Sequence, residues 1–299
     1  MMEEELTRQN REALAAAHKY MGDPAWLTVV FTVFICAGFI VNLWLFSIGI
    51  TPAWLALLSL AILTYMAYTP LHEAVHGNIH GNVETLKWLN DLCGYLVAPL
   101  IAVPYASHRV EHMTHHRYTN QPEKDPDFIV SRIGNGPWSA FLTVLRFVWV
   151  QNTFFVTRHW KTTTFGKRLT YLAELTLSIG WRVIFLSMID NPSAVAVVLV
   201  GYVAGGAFTA YWFAYRPHIP YRETQRYRNT CSLIMPTWMK PLEWFWLGQN
   251  LHSIHHLFPR VPFYRYHALH QDIEYVLRAH GTPILGAFSR QEVQSCKSP

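Results

Sequence analysis

From Ala25 to Leu71 the chain carries no Asp, Glu, Lys, Arg or His. That run of 47 residues has room for two bilayer crossings of about 20 residues each. The Gly and Pro of SIGITP at 47–52 break it. The pattern predicts a helical hairpin with spans at about 26–46 and 52–71. A second apolar region runs from Tyr171 to Tyr215, broken by DNPS at 190–193. It predicts a second hairpin, with spans at about 171–189 and 194–215. The first of these contains Glu174 and Arg182, which must face the protein interior or snorkel to an interface. Helix packing is the ordinary use of such charges, and function the alternative.

Two more stretches are apolar but interrupted. Trp88–Tyr105 holds Asp91, Pro99 and Pro104, and Pro137–Val156 holds Arg146, Gln151 and Asn152. Both are expected to lie at the interface or to re-enter without crossing. The expected fold is an all-α membrane protein with about four transmembrane helices in two hairpins. A cytoplasmic helical cap completes it. Residues 1–25 are expected to form a polar cytoplasmic helix without a signal-peptide pattern. Residues 26–287 form one membrane domain, and 288–299 a frayed tail.

Composition agrees. Charged residues are 14% of the chain, against about 25% in soluble domains. The net charge of +5 would suit nucleic acid, but its distribution gives a better account. Of 24 Lys and Arg, 3 precede residue 25, 10 lie in 72–170, 10 follow 215 and one is Arg182. The loops at 47–52 and 190–193 have none. The positive-inside rule then puts both termini and the middle segment in the cytoplasm. The four cysteines are scattered without a C-x-x-C pair, which argues against a disulfide framework or a cysteine zinc site.

Histidine is the outlier, with 16 copies. Three clusters stand out: His72 and His76; His112, His115 and His116; and His252, His255 and His256. Positions i, i+3 and i+4 share a helix face, so each cluster can aim its imidazoles at one point. All three fall on the same predicted side. One H-x-x-H-H is weak evidence, but two of them with an H-x-x-x-H at a span end make a metal site. Eight ligands are too many for one closed tetrahedral ion and suit two metals with open positions. Imidazole is compatible with Fe, Zn, Cu and Ni.

With these boxes and two hairpins, the sequence resembles the integral-membrane fatty acid desaturase and hydroxylase superfamily over roughly residues 50–275. The resemblance implies two Fe ions held by the eight box histidines, with O2 as oxidant. Flanking strings narrow it. HHRYTNQPEKDPDFIV, RPHIPYRETQRYRNT and GQNLHSIHHLFPRVPFYRYH are similar to β-carotene ring hydroxylases of the cyanobacterial type. HHLFPRVPFY also resembles acyl-lipid desaturases. The first box opens His-Glu where His-Asp is commoner in the family, at a position not expected to be a ligand.

Relatives often recruit an additional histidine, and His218, 34 residues before the third box, is the candidate here. A structural histidine in a Pro-flanked turn is the alternative. His80 and His108 stand four residues from a box histidine, where each can hydrogen-bond a ligand and fix its tautomer, or be an ordinary polar residue. Asp125 and Asp127 can do the same, or simply form a turn in PEKDPD. Gln249 and Asn250 can contact metal-bound water.

The function expected is oxidation of C–H bonds in a long lipophilic membrane substrate, a carotenoid or an acyl chain. β-Carotene ring hydroxylation is the first reading and fatty-acyl desaturation the alternative. No G-x-G-x-x-G follows a strand, so electrons must come from a separate ferredoxin-like donor. A metal transporter would place its polar ligands inside the spans, and a membrane haem protein would have histidines there. The four predicted spans contain none.

Overall fold

Both predicted hairpins form. In a computed structural model, residues 2–289 are described. Helix α1 (Met2–His18) precedes α2 (Trp26–Ser47) and α3 (Ala53–His76). α3 does not end at Leu71, the expected limit of the second span. It continues to His76 and stops at Gly77, whose left-handed φ of 72° terminates the helix. The first histidine box is therefore the last part of a membrane-length helix. α4 (Lys87–Ile101) and α5 (Tyr105–Tyr118) follow, meeting at a bend of 98°. A 3₁₀ segment (Pro126–Asn135) leads to α6 (Pro137–Phe154), which a π turn extends to His159. α7 (Phe165–Met188) and α8 (Ser193–Thr209) form the second hairpin, with π and 3₁₀ turns carrying α8 on to His218. β1 (Ser232–Ile234), α9 (His252–Leu257), α10 (Tyr266–Ala279) and β2 (Ile284–Gly286) complete the order. β1 and β2 pair in parallel and are the only strands among the described residues. The tail expected at 288–299 lies outside the described residues from position 290 onward.

Five helices are long and apolar enough to cross a membrane, one more than expected. The addition is Pro137–His159, 23 residues containing an 18-residue stretch with a mean hydropathy of 1.3, in which Arg146, Gln151 and Asn152 are too few to break the apolar run. The histidine contacts constrain the topology. His255, beyond α8, touches both His72 at the end of α3 and His116 on α5. An even number of crossings must therefore separate α5 from α9. α7 and α8 supply two, while α6 packs along α5 and the Pro126–Asn135 segment. By length and composition α6 qualifies as a span as well, and it stays on one side only if α7 and α8 both cross.

α3 and α8 approach closely because Gly201 and Gly205 face α3. A Cβ at Gly205 would collide with the Ala61 carbonyl and Thr64. Ile35, Phe39, Leu60, Val97 and Ile101 fill the core between α2, α3 and α4.

The two charges in α7 have structural partners. Arg182 donates to the carbonyls of Pro99 (3.0 Å) and Leu100 (2.7 Å) at the end of α4. Glu174 accepts from the amides of Tyr105 (2.6 Å) and Ala106 (3.1 Å) at the start of α5. Helix ends leave just these groups without intrahelical partners. α7 thus caps both sides of the 98° bend and sets the direction of α5. Replacing Arg182 with Leu strands the Leu100 carbonyl, at about 1–3 kcal/mol, while the Pro99 carbonyl keeps the Trp181 indole N–H as a donor at 2.9 Å. The expected result is a lower melting temperature of the purified protein, and an unchanged one would refute the capping role.

Candidate metal centre

α3 ends with His72 and His76 one turn apart, and α5 presents His112 and His116 in the same relation, with His115 turned aside. α9 repeats the arrangement with His252, His255 and His256. The turn after α8 delivers His218. These nine sort into two groups. His72, His76, His112, His116 and His255 form one, and His115, His218, His252 and His256 the other. Within each, the ligand nitrogens lie within 4.8 Å of one another. Boxes two and three each feed both groups, whereas box one feeds only the first.

The Nε2 contacts run in chains. In the first group they are His76–His112 (3.0 Å), His112–His116 (3.0 Å), His116–His255 (2.8 Å) and His255–His72 (3.0 Å). In the second they are His115–His256 (3.3 Å), His256–His252 (3.1 Å) and His252–His218 (3.1 Å). Hydrogen bonding cannot satisfy such chains. A neutral imidazole Nε2 offers either one N–H or one lone pair, yet each middle nitrogen has two neighbours. A shared cation satisfies all of them at once. Nitrogens at about 2.1 Å from one ion stand about 3.0 Å apart at right angles, which is the spacing here. The donor set therefore fits metal ions.

Backbone-facing nitrogens are oriented by other residues. His115 Nδ1 donates to Asp125 Oδ1 at 2.8 Å. His218 Nδ1 lies 3.2 Å from Asn120 Oδ1. The Asn120 amide is oriented by its own donation to the carbonyls of Glu223 and Asn229, so its oxygen faces His218. Acceptors at Nδ1 place the proton there and leave the Nε2 lone pair free for a metal. His255 Nδ1 lies 3.1 Å from the Tyr266 hydroxyl. Burial pushes the His252 imidazole down to about 3, so it is neutral. Burial also presses on His115, but the Asp125 and Asp127 carboxylates outweigh it and bring that group up to about 9. A field that favours a proton there favours a metal cation as well.

Asp125 is held by the amides of Asn120 (2.8 Å) and Asp127 (2.9 Å). The PEKDPD turn and the support of His115 are thus one feature. Asp125→Asn should lower metal affinity or activity by about 10–100-fold. Titration of the metal-free protein would measure it, and wild-type affinity would refute the role.

The remaining sequence candidates sit elsewhere. His108 is fully buried, with Nδ1 2.8 Å from Gln151 Oε1 and its ring beside His112 at 5.2 Å. His80 packs over Gly77 and joins neither group. Asp127 lies 3.8 Å from His115 Nδ1, behind Asp125. Asn250 donates to Leu233 O and Glu243 Oε1, and Gln249 donates to Leu247 O at 3.4 Å. Glu73 of the first box belongs to neither group and accepts from Asn78, which also donates to the carbonyls of Pro259 and Val261. It ties box one to the loop after box three. Asn120, Gln151 and Tyr266 were not singled out for these roles from sequence. Their only signal was nearness to a box, or polarity within an apolar run.

On the bilayer side, Tyr68 packs between His72 (5.7 Å) and Phe213 (4.8 Å). Tyr65 meets Phe213 and Phe208. An aromatic wall therefore separates the first group from the lipid-length parts of α3 and α8.

Fold and site together define an all-helical membrane protein with a histidine-lined centre able to hold metal. The fatty acid desaturase family model matches residues 48–287. The chain belongs to that family, whose members are oxidoreductases. It is 26% identical over 235 residues to an sn-1 oleoyl-lipid 12-desaturase of Anabaena variabilis, covering 75% of this chain and 57% of that one. It is 25% identical over 287 residues to a chloroplastic omega-6 fatty acid desaturase of Brassica napus (84% and 60%). It is also 25% identical over 178 residues to a β-carotene ketolase of Haematococcus lacustris (58% and 48%). The chain thus spans less than two thirds of the length of each of these three relatives.

Proposed function

We propose that this chain is an O2-dependent oxidoreductase that oxidises C–H bonds of a long lipophilic substrate drawn from the bilayer. The observation that carries this reading is the pair of all-histidine groups closed beneath membrane-length helices. The nine histidines, His218 included, would hold two irons. Bound there, the irons would supply the reductive activation of O2 needed to break an unactivated C–H bond. The chain's own part is positioning and exclusion. Asp125, Asn120 and Tyr266 orient ligand rings, and Tyr65, Tyr68, Phe208 and Phe213 keep water from the bilayer side. Electrons come from a separate carrier such as a ferredoxin. The Lys and Arg distribution supports a cytoplasmic centre and cytoplasmic termini.

Within this class we take β-carotene ring hydroxylation as the first reading, on the strings around the second and third boxes. The similarity to a β-carotene ketolase supports a carotenoid substrate. Fatty-acyl desaturation is the second reading, supported by the similarity to acyl-lipid desaturases. The two differ in whether a hydroxyl is added or a second hydrogen is lost, which small shifts in substrate placement decide. Expression in a host that makes β-carotene, followed by chromatography of pigments and acyl chains, separates them. Hydroxylated pigment supports the first reading. Unchanged pigment with a new unsaturated acyl chain supports the second. Bound zinc in place of iron would sink both.

A further inference from the structure

Away from the histidines, an open groove of about 1490 Å³ runs along the outer face of α5. Six cations line it: Arg109 and Arg117 from α5, and Lys124, Arg132, Arg158 and Lys167 from four other segments. Its lining carboxylates are Glu123 and Asp125, and Asp125 is buried beneath and bonded to His115. Among the described residues, the one ion pair these cations make is a 3.9 Å approach of Arg109 to Asp91. Arg132, Arg158 and Lys167 have no acidic partner within 4.0 Å among the described residues. Cations gathered without counter-charges focus a field that draws anions into the cleft.

The rest of the lining is of a different kind. Tyr95, Trp149 and Phe154 form an aromatic wall. Tyr95 continues an exposed apolar stripe on α4 with Trp88 and Leu92, and Trp149 one on α6 with Leu145. Such stripes on apolar helices suit contact with acyl chains. Lys167 stands in the first turn of α7, at the end of that span nearer the histidine face. If α7 spans the bilayer, a lysine in its first turn reaches the lipid phosphates. A soluble acidic protein would use the charges but not the concave aromatic wall.

We propose that this groove binds an anionic phospholipid, with its phosphate held by Arg132, Arg158 and Lys167 and its acyl chains laid along α4 and α6. The proposal does not depend on the metal or on the reaction.

Native mass spectrometry of the purified full chain tests it, with phosphatidylglycerol and phosphatidylcholine compared as added lipids. The intact chain should prefer phosphatidylglycerol by about tenfold to a hundredfold, given three interfacial cations. The combined Arg132→Gln, Arg158→Gln and Lys167→Gln variant should lose that preference. Trp149→Ala, at a 70% exposed position, should weaken binding of both lipids without disturbing the core. Unchanged lipid binding in both variants overturns the proposal. So does inorganic phosphate that displaces phosphatidylglycerol at equal concentration, since the groove would then be a plain anion site. A triple variant that keeps the lipid but loses turnover driven by a soluble reductant overturns it too, making the groove a protein docking face.

Discussion

His115→Ala is expected to abolish substrate oxidation and to lower bound iron from about two per chain toward one. His115 is the only α5 histidine in the second group, which it shares with His218, His252 and His256. Its loss also removes the imidazole partner of the buried Asp125 carboxylate, leaving that group held by two backbone amides alone. Loss of a residue that merely orients a ligand lowers metal affinity or activity by about 10–100-fold, so activity should fall to about 1% or less. Iron content and product yield, measured on the same preparation, check this. Full activity would refute the assignment of ligands.

His218→Ala is expected to match it. A histidine that only filled a Pro-flanked turn could be replaced with a small loss of stability. Here His218 is buried, its Nε2 is 3.1 Å from His252 Nε2, and its Nδ1 faces Asn120. The variant should retain the first group's iron, lose the second and turn over at about 1% or less, by the same comparison with ligand-orienting residues. His80→Ala is the control, since His80 belongs to neither group, and it should bind both irons. If the His218 variant behaves like the His80 variant, the second group has only its three box histidines.

The hairpins were legible because absence of charge over 47 residues has few other physical explanations. The boxes were legible because helix periodicity converts i, i+3, i+4 spacing into a shared face. Two kinds of information were not local. Whether Pro137–His159 crosses depends on what it packs against, and its own composition places it near the threshold. The duties of Glu174 and Arg182 depended on a bend 69 to 83 residues away in the chain. Periodicity also showed which histidines share a face but not how boxes interleave. That His115 and His116 diverge to different groups follows from the direction in which α5 meets α9.

That divergence has an evolutionary consequence. Neighbouring residues on a helix differ in direction by about 100°, and α5 and α9 each serve both groups from adjacent positions. Inserting or deleting one residue between His112 and His115 would rotate every later side chain on α5 and break both groups in one step. No lineage can pass through a form with one centre intact and the other under revision by that route. Change in length should therefore collect in the connections, such as the turn at 160–164, while the spacing inside each box stays invariant. A library of single-residue deletions scored for oxidation would display this as three sharp intolerant windows, at 72–76, 112–116 and 252–256, of which the last two each disable both groups.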